Sequence, residues 1–153
     1  MRYVILGLTV LFLVGCAQKI QTDVVLKNQA ITKTQKAEII EDEKRFLVVG
    51  TYLNDIIHEA TPPNTHEHFI IALYEGGENP YRAPILGARV NDVNATWEYL
   101  EHNSPLLELL PMANSWSHYY HIKAPLSYPD KLILQIEIDP LRQVRLNFEK
   151  DPR

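Results

Sequence analysis

Apolar and polar residues alternate most regularly in the last third of the chain. Every second position is apolar across Leu132–Ile138 and again across Val144–Phe148. The positions between them are polar or charged, with Ile133 as the exception. A period of two predicts strands with one buried and one solvent-exposed face. The intervening residues Asp139–Arg142 have the composition of a turn, so we expect these two strands to form a hairpin.

A second hairpin is predicted nearer the N-terminus. Ala37–Ile40 and Phe46–Leu53 are mainly apolar runs on either side of the polar turn Glu41–Lys44. Such runs around a short polar turn are typical of paired antiparallel strands. Phe69–Tyr74 predicts another strong strand, and Pro84–Val90 predicts a weaker one.

Aromatic residues mark one more strand. The residues at alternate positions of this segment are Trp116, His118, Tyr120 and Ile122. An extended backbone places them on one face, and His121 then points to the other face. We therefore expect His118 to be a hydrogen-bonded core residue, and we do not expect His118 and His121 to act together.

Residues 92–110 do not show this alternation of apolar and polar positions. Val93, Trp97 and Leu100 have the spacing of one helix face, and Asp or Asn caps stand at the start of the segment. This spacing predicts a short helix. About seven strands, many turns and one helical segment together predict a mainly β domain of the β-sandwich class.

The first residues have the pattern of an export signal. Arg2 precedes the uncharged apolar run Val4–Val14, which is too short to span a bilayer because a spanning helix needs roughly 20 apolar residues. The run ends in Leu13-Val14-Gly15-Cys16, which resembles the lipobox of bacterial lipoproteins. The polar segment after it reads as a tether, to which Val24-Val25-Leu26 adds a possible short strand.

The lipobox resemblance implies a covalent lipid anchor. Cys16 would receive a diacylglyceryl group on sulfur, cleavage would fall between Gly15 and Cys16, and the new amino group would be acylated. Two or more acyl chains hold a protein stably on a membrane. Ala17, where inner-membrane lipoproteins tend to carry Asp, favours the outer membrane of the bacterial envelope.

The rest of the chain resembles, distantly, the small immunoglobulin-like lipoproteins of Gram-negative bacteria. The resemblance rests on the strand FLVVGTYLN, Phe46–Asn54, and on the segment Trp116–Lys150. It implies an immunoglobulin-like β-sandwich variant of about seven strands. Cys16 is the only cysteine, so no inter-sheet disulfide is expected. The expected division is a signal peptide at 1–15, the lipidated cysteine and tether at 16–29, and the sandwich domain at 30–153.

Charge and cysteine content exclude several functions. The chain has 19 acidic and 15 basic residues and a net charge of −4 at pH 7. This balance argues against nucleic-acid binding and against electrostatic docking on anionic lipid. With its single cysteine acylated, the domain has no thiol nucleophile and no thiolate metal site.

Histidines form the most distinctive candidate cluster. His58, His66 and His68 lie close in sequence, with Glu59 and Glu67 beside them. Positions 66 and 68 share one side of an extended segment, so their imidazoles are able to share a zinc or copper ion, and carboxylates could complete the shell. The alternative is that they decorate an exposed loop and the start of a strand.

The sequence contains no pattern that predicts catalysis. No serine stands in a G-x-S-x-G motif, and the only double glycine, Gly76-Gly77, lies in a turn. We therefore expect a lipid-anchored, non-catalytic binding or envelope-assembly module with a protein partner and no cofactor besides its lipid. Recognition is expected on Asn54–Thr65 and Gly76–Pro84. The alternatives are a periplasmic metal-binding protein that uses His58–His68 and a surface-exposed lipoprotein that contacts a host.

Overall fold

A computed structural model describes residues 24–41, 44–57, 65–77 and 85–152. Within these ranges, residues 24–32 are helical (α1), and a short 3-10 helix spans Pro105–Leu109. The strands are β1 Thr34–Glu41, β2 Lys44–Tyr52, β3 His66–Gly76, β4 Gly87–Val90, β5 Val93–Asn94, β6 Thr96–Leu100, β7 His118–Pro125, β8 Lys131–Asp139 and β9 Arg142–Glu149. No helix of the described residues is long and apolar enough to cross a membrane.

The strands form two antiparallel sheets. Sheet 1 has the order β1-β2-β3-β7-β6, and sheet 2 has the order β5-β4-β8-β9. We call the face of each sheet that meets the other sheet its inner face, and the opposite one its outer face. The prediction of a mainly β sandwich without a disulfide is confirmed. The described ranges hold nine strands rather than about seven, because the segment after β4 is extended.

Both predicted hairpins are confirmed. Strands β1 and β2 pair directly across their turn, and Ile39 lies opposite Phe46. Strands β8 and β9 pair along their whole length, with a bulge between Glu137 and Asp139. The alternation read from the sequence sets the inner face here, since the residues of β8 at alternate positions from Leu132 are buried and Ile133 is 40% exposed.

The main core lies between the inner faces. Its largest fully buried side chains include residues of both sheets: Tyr52, Phe69, Ile71, Ile122, Leu132, Leu134, Ile136 and Leu146. Gly50 is closely packed by core side chains, because a Cβ atom added there would stand 2.6 Å from Cδ1 of Leu146 on the facing sheet and 3.0 Å from Cδ1 of Ile71 on the neighbouring strand. Only glycine fits this position without displacing core side chains.

A second apolar cluster covers part of the outer face of sheet 1. Helix α1 contributes Ala30, which is fully buried, and Leu26 packs against the same cluster. The 3-10 helix contributes Leu107. The prediction of a short strand at 24–26 is therefore wrong: Leu26 and Ala30 lie one helical turn apart, and that spacing puts both on the sheet. As a result, the middle of β3 is buried on both faces.

The predicted helix after residue 92 is also wrong. Asn91 and Asp92 have φ angles of 49° and 66°, which make the two-residue turn of a tight β4–β5 hairpin. Strands β5 and β6 follow, and the chain passes from sheet 2 to sheet 1 at Ala95. Trp97 lies opposite Ile122 in the sheet. The helical spacing of the apolar residues was coincidental, because short segments satisfy either period.

Strand β7 begins two residues later than predicted. His118, Tyr120 and Ile122 share the inner face, as expected, and His121 faces outward. Trp116 precedes the strand and is 68% exposed. It therefore does not belong to the core, although its position in the alternation suggested that it would.

Candidate functional site

The outer face of sheet 1 carries two candidate sites, a pair of histidines and an apolar groove. The even-numbered residues of β3 point to this face, and their side chains fall into three zones along the strand. His66 and His68 lie at one end, Ile70 enters the second apolar cluster, and Ala72 and Tyr74 line a groove at the other end. The zones follow from strand alternation, which gives every second side chain to one face.

Two histidines from neighbouring strands meet at the first of these zones. His68 Nδ1 lies 3.1 Å from His121 Nε2, and the ring centroids are 5.2 Å apart. His121 Nδ1 lies 3.1 Å from Glu98 Oε1 on β6, and Lys123 Nζ lies 2.9 Å from the same oxygen. The register explains the meeting, since β7 pairs with both β3 and β6 and brings all four side chains to one face.

The ionised carboxylate of Glu98 determines which ring nitrogen of His121 carries the proton. Hydrogen bonds from Lys123 and His121 lower the pKa of Glu98, so Glu98 is ionised at neutral pH and only accepts. His121 therefore donates through Nδ1–H to Glu98 and presents the lone pair of Nε2 to His68. Burial lowers the pKa of His121 and of His68, and the neighbouring imidazoles and Lys123 lower that of His68 further. The hydrogen bond to Glu98 opposes the shift at His121, and the net direction favours the neutral form of both rings.

His66 and His68 lie on the same side of β3, as predicted. Their ring centroids are 6.2 Å apart, and His66 is exposed, with Nδ1 2.8 Å from Thr65 Oγ1. His58 lies outside the described residues. Within the described part of the chain, no group of three or more His, Cys, Asp or Glu side chains is arranged to hold a metal ion. A metal site that uses His58, His66 and His68 stays a prediction.

The sequence did not reveal His121 as the partner of His68. The two residues are 53 positions apart, and no local pattern links them. The expectation that His118 and His121 face opposite sides is correct. His118 itself is half-buried on the inner face, where its ring centroid lies 6.2 Å from that of Tyr99.

Glu67, between the two histidines of β3, faces the interior rather than the histidines. It is fully buried, and its Oε1 accepts from Lys150 Nζ at 2.7 Å and from the Ser127 amide at 2.8 Å. Its Oε2 accepts from Tyr52 Oη at 2.7 Å and from Asn54 Nδ2 at 3.3 Å. Glu67 is thus no candidate for a metal shell with His66 and His68, because adjacent strand residues point to opposite faces.

The Glu67 network closes the end of the sandwich. Lys150 also donates to the Ser127 carbonyl, so the end of β9 and the loop after β7 are tied to β3. All the buried side-chain polar atoms of the described residues have a hydrogen-bond partner. A fully satisfied buried ion pair with almost no access to solvent indicates a structural role.

The groove lies at the other end of the same sheet face. It encloses about 340 Å³ between the outer face of β1–β3 and the segment Leu110–Ser117. Its floor is aliphatic, with Leu47, Val49 and Ile70, and the described residues that line it carry no formal charge. At its rim, Met112 is 85% exposed and Trp116 is 68% exposed.

Several polar groups at the groove are hydrogen-bonded within the protein. Thr34 Oγ1 is 2.8 Å from Thr51 Oγ1 and donates to the Ala30 carbonyl. Asn114 Oδ1 accepts from the Ser117 amide at 2.8 Å, and the Asn114 amide donates to Tyr119 Oη at 2.7 Å. The groove therefore presents mainly apolar surface.

The recognition loops expected from the sequence are only partly described. Asn54 is buried and donates to Glu67, so it is no part of an exposed loop, while residues 58–64 and 78–84 lie outside the described residues. Gly15 and Cys16 also lie outside them. The lipobox accordingly stays a prediction from sequence.

Comparison with known proteins adds no relative. No protein-family model, no curated protein and no solved structure matches this chain. The fold defines the class of the described domain, which is an antiparallel β-sandwich with a helix and a 3-10 helix packed on one outer face.

Proposed function

We propose that this protein is a lipid-anchored, non-catalytic binding module of the bacterial cell envelope. The anchor is proposed from Leu13–Cys16 alone. The observation that carries the binding role is the uncharged groove on the outer face of sheet 1. We propose that it receives apolar side chains of a partner protein in the envelope.

The rim of the groove favours a protein partner. Aromatic residues and Met are enriched at protein interfaces, and Trp is frequent among the residues that dominate binding energy. Trp116 and Met112 are such residues, and both are largely exposed beside the groove. The described residues of the lining carry no formal charge, so an occupant with apolar side chains matches the groove better than a charged metabolite does.

The proposed anchor limits how far the domain stands from the membrane. Helix α1 is described from residue 24, eight positions after Cys16. Even a fully extended chain of that length spans at most about 28 Å. Helix α1 packs on the outer face of sheet 1, so this face lies within reach of the lipid surface, where envelope proteins are available as partners.

Site-specific photo-crosslinking in intact cells tests the binding role. A photoreactive residue at position 112 or 116 should yield a discrete crosslinked protein. The same residue at Leu141 or Tyr128, which are 92% and 99% exposed elsewhere, should not. The crosslinked protein, once identified and purified, should bind the chain directly.

A matched pair of charge substitutions adds the control. Val49→Lys puts a charge in the groove and should abolish both the crosslink and direct binding. Ile133→Lys puts a charge on the outer face of sheet 2, where Ile133 is 40% exposed, and should leave both intact. Equal crosslinking at all four positions, or binding that survives Val49→Lys, would reject the groove as the binding site.

A further inference from the structure

We propose that His68 and His121 together bind one divalent transition-metal ion, with Glu98 as the residue that positions His121. This cross-strand site uses a different set of residues from the groove, and it depends neither on the groove nor on the lipid anchor. Cu²⁺ and Zn²⁺ are the ions of the matching chemistry, because imidazole nitrogen is a good ligand for both.

The separation of the two nitrogens is close to what an ion requires. Two imidazole nitrogens on one tetrahedral Zn²⁺, each about 2.0–2.1 Å from the metal, stand about 3.3 Å apart. His68 Nδ1 and His121 Nε2 are 3.1 Å apart. A shift of a few tenths of an ångström therefore brings the pair to the chelating distance.

Glu98 prepares His121 as a ligand. Metal-bound histidines commonly donate their second ring N–H to a carboxylate, which fixes the tautomer and the orientation of the ring. His121 Nδ1 is 3.1 Å from Glu98 Oε1, so the lone pair of Nε2 is directed away from Glu98 and toward His68. Nζ of Lys123 contacts the same carboxylate oxygen, and the negative charge of Glu98 offsets the positive charge of Lys123 near the ion.

His68 supplies the adjustable half of the site. The two ring planes are 26° apart, an arrangement that suits a hydrogen bond between the nitrogens. For chelation Nδ1 of His68 must give up the proton that it shares with Nε2 of His121, and His68 then carries its proton on Nε2. The ring of His68 also has to tilt so that the two lone pairs converge on the ion. His68 is only half-buried, whereas His121 is 8% exposed and held by Glu98. Two protein ligands leave the remaining positions on the ion to water.

The pairing differs from the one that sequence proximity suggests. His66 and His68 share a face, but their ring centroids are 6.2 Å apart, and Nδ1 of His66 is hydrogen-bonded to Oγ1 of Thr65. His68 and His121 have centroids 5.2 Å apart and facing nitrogens. The structure thus assigns the second ligand to β7 rather than to the neighbouring position on β3.

Metal titration of the full chain tests the site. The chain, carrying Cys16→Ser so that no thiol competes, is titrated in nonionic detergent with Cu²⁺ and with Zn²⁺ against a chromophoric chelator. One ion per chain should bind, and Cu²⁺ should bind more tightly than Zn²⁺. His68→Gln and His121→Asn should each weaken binding at least roughly tenfold, and Glu98→Gln should weaken it by about tenfold.

Three controls make the result decisive. His118→Gln, on the opposite face of β7, and His66→Gln should both retain affinity within about twofold of the parent chain. Glu98 is an exposed side chain, so Glu98→Gln tests the site even where His121→Asn fails to fold. Absence of saturable binding, parent-like affinity in Glu98→Gln together with His68→Gln, or a loss caused by His66→Gln and not by His121→Asn would overturn the proposal.

Discussion

Lys150 and Glu67 form an ion pair that is sealed inside the end of the sandwich. Nζ of Lys150 lies 2.7 Å from Oε1 of Glu67, the side chains are 6% and 0% exposed, and 83 residues separate them in the chain. Tyr52, Asn54 and the Ser127 amide supply the remaining hydrogen bonds to the carboxylate. The pair therefore joins the end of β9 to the start of β3, the middle strand of sheet 1.

Breaking this pair from one side should destabilise the domain strongly. Lys150→Met leaves the Glu67 carboxylate buried without its counter-charge, which typically costs about 3–5 kcal/mol. The free energy of unfolding from urea denaturation measures the loss. The double variant Glu67→Gln/Lys150→Met should recover part of it, because no unpaired charge remains buried. Lys131→Met, an exposed lysine on β8, serves as the control, and an equal loss there would refute the assignment.

Gly50 should tolerate no side chain. In Gly50→Ala the new methyl group meets Leu146 at 2.6 Å and Phe148 at 3.1 Å, so core side chains from the facing sheet must move. Overpacking of this kind typically costs about 1–3 kcal/mol. Thermal and urea unfolding of Gly50→Ala should show that loss.

Gly76→Ala is the matched control for Gly50. Its new methyl group meets only the Tyr74 side chain, at 3.3 Å, near the end of the same sheet. Its effect should be much smaller than that of Gly50→Ala. Comparable losses in the two variants would mean that backbone freedom, rather than inter-sheet packing, decides the residue at position 50.

Lipidation at Cys16 should be directly measurable. Cells grown with labelled fatty acid should incorporate the label into the parent chain and not into Cys16→Ser, because the sulfur that receives the diacylglyceryl group is absent. Cys16→Ser should also keep its N-terminal segment and migrate as the larger precursor. Label in Cys16→Ser at the parental level would contradict the lipobox assignment.

Protease treatment of intact cells then separates two locations of the anchored chain. A domain that faces the periplasm should be protected, whereas a surface-exposed one that contacts a host should be cleaved. The parent chain serves for this measurement, with a known periplasmic protein as the control for an intact outer membrane.

The C-terminal strands could be predicted because their sequence carries a simple physical constraint. A strand with one wet and one buried face must alternate, and Leu132–Ile138 and Val144–Phe148 do so over several positions. Val93, Trp97 and Leu100 are only three apolar positions, which are too few to distinguish a helix from a strand. There, the backbone conformation of Asn91 and Asp92 decided the outcome, and it turned the segment into a hairpin.

The histidine pair and the groove were also only partly predictable from the sequence. That His66 and His68 share a face, and that His118 and His121 do not, followed from strand alternation alone. That His68 meets His121 did not follow, because the order β3-β7-β6 and its register are set by packing across the whole sheet. The groove was missed for a similar reason, since its roof, Leu110–Ser117, is irregular chain that the second apolar cluster holds against the sheet.

The sequence by itself determined which side chains share a strand face, that a single cysteine leaves no intrachain disulfide, and where a lipid anchor is to be sought. Those properties depend on local geometry or on composition. The tertiary structure alone decided that Glu67 pairs with Lys150 and that His68 faces His121. Strand order and register determine such partners. Both depend on the free energy of the whole sandwich, so no single segment of the sequence predicts them.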